Sequence, residues 1–275
     1  MSPRLRRLTA ASAPAPAPLL LALCLCGAAL PARAQDFDLP APAWPPGPAS
    51  LLLERALPPA AATPVIETGI VCWHGLDALV TRAIAAGGGW RALRAGLGLS
   101  QTGEPDLGWT TLATVLGATV PGAGASARVA ARRDRTTAFG FDARGAVVGA
   151  EAGGGAWIDA GRGIHAWAFA PQMWTRGGVP PLARPLEIGA AADLGGITLW
   201  LSRAGGTGGS GGGREGGLSA RAGPLALWLT ARDRPLRGGL GVAARTGLFS
   251  ARCQVESHPV LHETARLSMT FGGGR

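Results

Sequence analysis

The stretch ESHPVLHE brings Glu256, His258, His262 and Glu263 within eight positions. The i, i+4 step between the two histidines is the spacing that puts paired imidazoles on one helical face, where they can hold zinc. Pro259 stands between them and breaks such a helix, so the stretch reads as a polar loop with no metal site. His74 and His165 have no G-x-S-x-G neighbourhood that would present a nucleophilic serine. All 26 cationic residues are Arg. Without Lys there is neither a Walker phosphate loop nor a Schiff base, and without Asn there is no Ser-His-Asn hydrolase. The glycine run 205–217 lacks the helix and cation that a phosphate cradle needs, and reads as a flexible loop. The expectation is a protein without catalytic residues and without a cofactor.

The charged side chains left over could do the chemistry of a pore wall. Arg128, Arg132, Arg203, Arg221, Arg252 and Arg266, with the carboxylates Glu151, Glu187, Asp193 and Glu256, fall in or beside segments where polar and apolar residues take turns. Such side chains either pair across strands or set the charge preference of an aqueous path. Both readings stand at this stage.

The elements that would position them follow from parity. Leu225, Leu227 and Leu229 alternate with Ala226, Trp228 and Thr230, and the segment then breaks into Arg-Asp-Arg-Pro. Ile197, Leu199 and Leu201 alternate with Thr198, Trp200 and Ser202. Phe249, Ala251, Cys253 and Val255 alternate with Ser250, Arg252, Gln254 and Glu256, and Ala127, Val129 and Ala131 alternate with Arg128 and Arg132. Period two places one set on each face of a strand. Sixteen such runs can be traced from 65 to 272, including 137–143, 146–152 and 155–160. Some are shorter than the 9–11 residues a tilted spanning strand needs, so merging leaves twelve to sixteen strands.

The ends frame this domain. Arg4, Arg6 and Arg7, an apolar run from Leu19 to Leu30 and the small residues of "PARA" read as an export signal over 1–34; a lipoprotein signal at Cys24 is the other reading. Eight prolines between Pro40 and Pro64 make 35–64 an extended periplasmic arm. The strand domain is 65–275. Removal of the signal takes four of the 26 arginines and none of the 17 acids, leaving a net charge of +5. Those charges are scattered, which excludes the clustered basic face of a nucleic-acid binder. Cys72 and Cys253 remain, either as two half-buried thiols or as a pair that barrel closure would bring together.

Two further features mark the kind of sheet. The connectors "DLGG", "AGP", "ARTG", "DARG" at Asp142 and "GGG" at Gly87 are tight. Longer polar ones fall between them: "QTGEPD", "RDRT", "TRGGVPPLARP", "AGGTGGSGGGREGG", "RDRPLRGG" and "ESHPVLHE". Trp73, Trp90, Trp109, Trp157 and Trp174 stand near run ends, as interfacial aromatics do. From Val65 to Arg275 the chain resembles a bacterial outer-membrane β-barrel of the porin or transporter kind. The resemblance rests on the signal, the alternation, the connectors and the final run ETARLSMTFGGGR. It implies an all-β antiparallel transmembrane barrel with short periplasmic turns and longer outer loops. It also implies location in the outer membrane, contact with its lipid, insertion by the barrel-assembly machinery through an aromatic near the end (here Phe271), and passage of small solutes.

Overall fold

The computed structural model describes residues 63–73, 79–104, 107–136, 145–177, 186–205, 213–233, 236–257 and 262–272. Fourteen antiparallel strands run in chain order and close into one barrel, β1 pairing with both β2 and β14. They are β1 (Val65–Cys72), β2 (Val80–Trp90), β3 (Leu93–Gly103), β4 (Leu107–Val120), β5 (Ala123–Thr136), β6 (Gly145–Gly161) and β7 (Ile164–Gly177). The second half holds β8 (Leu186–Asp193), β9 (Ile197–Gly205), β10 (Gly213–Ala222), β11 (Leu225–Asp233), β12 (Leu236–Thr246), β13 (Phe249–Glu256) and β14 (Thr264–Gly272). Closure leaves no edge strand, so every strand finds hydrogen-bond partners on both sides.

The side-chain period survives closure. Along β11, Leu225, Leu227 and Leu229 are exposed on the outside while Trp228, Thr230 and Arg232 are buried on the inside. The same inside-out pattern runs through Ile84, Leu97, Leu99, Leu112, Leu116, Val129, Ile188, Leu199, Leu201, Leu240, Leu267 and Met269, all of them exposed. A water-soluble barrel turns such residues inward; an apolar outer band is the signature of a barrel that lipid solvates. Phe249 and Phe271, cross-strand partners on this band, touch with ring centroids 4.9 Å apart.

The rims are unequal. Residues 91–92, 121–122, 162–163, 194–196, 223–224 and 247–248 close one end, where β1 begins and β14 finishes. Residues 73–79, 104–106, 137–144, 178–185, 206–212, 234–235 and 257–263 connect strands at the other. In the turn at Pro121–Gly122, proline presets φ for the first corner, and Gly122 at φ 77° supplies the left-handed second corner of a type II turn.

Several expectations need correction. Gly87–Gly89 lie inside β2, and the turn falls at Arg91–Ala92. The side chain of Arg94 lies across Gly89, where a Cβ would meet its Cδ at 2.5 Å, so these glycines serve cross-strand packing rather than chain reversal. The runs 146–152 and 155–160 are one strand, β6, because Gly154 lets the backbone of Ser126 approach to where a Cβ would stand. "RDRT" from Arg133 continues β5 to Thr136, and "RDRPLRGG" is strand at 232–233 and 236–239. The run 137–143, the "DARG" turn up to 144, positions 234–235 and positions 1–62 lie outside the described residues.

Candidate functional site in the barrel lumen

The interior is built from rows of inward side chains that the antiparallel register aligns across neighbouring strands. Its charged members pair by neighbourhood. Arg128 of β5 donates from Nη1 to Glu151 Oε1 of β6 at 2.5 Å, and Gln172 Nε2 of β7 donates to the other carboxylate oxygen at 2.8 Å. Arg232 of β11 reaches Glu215 of β10 at 2.9 Å, and Arg237 of β12 reaches Glu256 of β13 at 3.5 Å. All six charged partners are almost wholly buried. Burying a charge is costly unless it meets an opposite charge and hydrogen-bond partners, so these pairs are a condition of folding as much as a feature of the wall. Arg132 binds Asp134 through Nε at 2.6 Å and lies 5.0 Å from the Trp109 ring centre. Glu187 accepts from Trp167 Nε1 at 3.2 Å. At the short-turn rim, Asp193 meets His165 Nε2 at 3.3 Å and accepts the Thr198 hydroxyl.

A second group is balanced differently. Arg252 of β13 feels Glu67 of β1, Arg266 of β14 and Arg221 of β10 as its charged neighbours, three guanidiniums for one carboxylate. Four strands send these residues to one region of the lumen, and the local charge is positive.

Aromatic residues share the same wall with these charges. Trp157, Trp167, Trp200 and Trp228 each face a glycine on the neighbouring strand: Gly124, Gly189, Gly217 and Gly241. A Cβ built on any of the four would collide with the indole. The glycines therefore let flat rings lie against the backbone, the device by which an aromatic covers a strand glycine. Trp167 stacks on Phe169 with centroids 6.2 Å apart, and Trp200 and Ala191 complete the cluster.

Of the residues expected inside, Arg128, Arg132, Arg221, Arg252, Arg266, Glu151, Glu187 and Glu256 take inward positions, and Asp193 stands at the inner edge of the rim. Arg203 does not. It shares parity with Ile197, Leu199 and Leu201 and is exposed on the outer face of β9. Sequence reasoning also missed Arg237, Glu215 and Glu67, although each alternates with outward residues in its own strand. Of the five tryptophans expected at the interfaces, Trp90 and Trp174 are exposed. Trp73 is buried with its indole N–H donating to Thr81, and Trp109 and Trp157 turn inward. Cys72 and Cys253 are both free and lie on the outward parity. His258 lies outside the described residues. Among the described residues no three His, Cys, Asp or Glu gather as a metal site.

A closed antiparallel barrel, apolar outside and charged within, with one rim of tight turns, has the build of a membrane-spanning β-barrel. Among solved structures, a triple mutant of Rhodopseudomonas blastica porin aligns at TM-score 0.41 and 10% identity over 76% of this chain and 98% of the porin. A second mutant of that porin gives 0.42 and 11% over the same shares. A structure titled for asymmetric conductivity of engineered proteins gives 0.41 and 12%, again over 76% and 98%. No family model and no curated protein matches the chain.

Proposed function

We propose that the protein is a bacterial outer-membrane pore that passes small solutes and favours anions, with no catalytic step. The observation that carries this reading is the grouping of Arg221, Arg266 and Glu67 around Arg252 on the inward faces of a closed fourteen-stranded barrel. Barrels of eight strands are filled by their side chains and those of sixteen to eighteen leave a channel; fourteen lies toward the open end of that range. Elsewhere in the lumen Arg128, Arg232 and Arg237 each pair with a carboxylate, and the arginine-rich group would set the sign of the path. The export signal and the outer band of leucines support the location.

A plugged barrel is the second reading, and one observation favours it. Glu67, Ala85, Gly98, Ala113, Ala130 and Glu151 form one continuous register row across six strands. The alanines in it are only 0–2% exposed, although their neighbours along and across the strands are mostly small. Planar-bilayer recording of the refolded chain 35–275 separates the two. A steady current that carries more chloride than potassium supports the pore, and silence supports the plug.

A further inference from the structure

Arg203 and Arg214 face each other across β9 and β10 on the outside of the barrel. Both are exposed, and neither guanidinium makes an ion pair among the described residues. Like charges directly opposite on one face destabilise a sheet, and their Cβ atoms stand within about 5.5 Å. The register row continues to Asp233 on one side, whose Oδ1 accepts the Arg214 backbone N–H at 2.6 Å, and to Ile188 on the other. Two positive charges thus meet one carboxylate that is already turned toward the backbone.

The location says what would relieve the repulsion. Arg203 is two residues from the end of β9 and Arg214 one from the start of β10, at the rim with the longer connectors. Ile188 stands beside Arg203 on the same face, and immediately below come Leu201, Leu199, Leu218 and Leu229, all exposed. Leu201 fills the space above Gly216, where a Cβ would meet its Cδ1 at 3.3 Å, so the leucine lies close against the sheet under the two arginines. A ligand for this place is anionic at the top and apolar beneath. Guanidiniums match phosphate oxygens in geometry as well as charge, through paired N–H donors.

We propose that Arg203 and Arg214 form a binding site for the phosphate of a lipid headgroup, with the acyl chain lying along Leu201, Leu199 and Leu218. The proposal rests on the membrane-spanning reading and is independent of whether the lumen conducts. A phosphate free in solution has the same headgroup chemistry, but it would gain nothing from the leucines below.

The test is native mass spectrometry of the refolded chain in a neutral detergent, titrated with dioleoyl phosphatidic acid. Arg203→Gln/Arg214→Gln should bind the lipid at least tenfold more weakly than the parent. Arg82→Gln, which removes another outward arginine at the same rim but one opposite Ile70 and Gln101, should change it less than twofold. A heat-shifted gel band for each variant shows that the barrel has formed. Unchanged binding in the double variant overturns the proposal, and so does an equal loss in Arg82→Gln, which would mean diffuse attraction over the whole rim. Displacement of the lipid by equimolar inorganic phosphate would contradict the acyl part of the site. Loss of conductance in bilayers with lipid binding intact would strike the pore reading and leave this one standing.

Discussion

Trp228 of β11 lies flat against Gly241, its direct partner on β12, so that a side chain on the glycine would occupy the space of the indole. The same relation recurs at three other Trp–Gly pairs around the wall, and the barrel needs these glycines for packing rather than for flexibility. Gly241→Val should lower stability by about 1–3 kcal/mol through overpacking. Gly238→Val in the same strand, where the nearest atom to a new Cβ is Ser257 Oγ at 3.9 Å, should stay within about 0.5 kcal/mol. Unfolding midpoints in urea, read from the heat-shifted band, compare the two.

The Arg128–Glu151 pair should behave as a unit. Arg128→Met takes the opposite charge from a buried carboxylate and leaves it the Gln172 amide contact, and the expected loss is about 3–5 kcal/mol. Replacing both, as Arg128→Met/Glu151→Gln, should recover most of that loss, because no uncompensated charge is left inside. A double-mutant cycle in the same unfolding assay measures the coupling; equal losses in the single and double variants would contradict the assignment.

On the outer face, depth should decide cost. Leu229→Arg places a guanidinium in the middle of β11, where lipid exposure costs about 2–4 kcal/mol. Leu236→Arg, at the first residue of β12 on the rim, should cost about 0–1 kcal/mol. Folding yield into vesicles of fixed thickness distinguishes these outcomes, and equal yields would argue against a lipid-facing band.

Arg221 stands at the short-turn end of β10 and is exposed, so Arg221→Gln should fold normally. Removing one of the three guanidiniums grouped at Arg252 should weaken the preference for chloride without closing the path. The zero-current potential across a salt gradient, compared with that of the parent, gives the sign and size of the change.

Much of this fold was legible because a strand repeats every two residues and lipid demands an unbroken apolar face. The leucines of β11 and the phenylalanines of β13 and β14 announced their side directly. Parity alone also assigned Arg203 to the leucine face, but arginine's charge invites an inward reading, and only register with Arg214 exposes the outward pair. Glycine misled in two places. In β2 it was read as a turn and in β6 it fell in a gap between two runs, because glycine usually punctuates a chain, whereas here it makes room for Arg94 and for the Ser126 backbone. The inward turn of Trp157 was hidden for a related reason: Gly124, which accommodates its indole, sits on another strand, at a distance in sequence that no local pattern reveals. Lumen pairing was partly visible, since Arg128 and Glu151 could be named, but which carboxylate each arginine meets depends on register.

The central claim is a conducting lumen whose charge preference is set by the group of Arg221, Arg252 and Arg266. The measurement that tests it most directly is the zero-current potential of the refolded chain 35–275 in a planar bilayer under a tenfold potassium chloride gradient. The account predicts a steady conductance and a potential of the sign that chloride selectivity sets. A potential of the opposite sign, or a bilayer that stays silent with folded protein inserted, would contradict it.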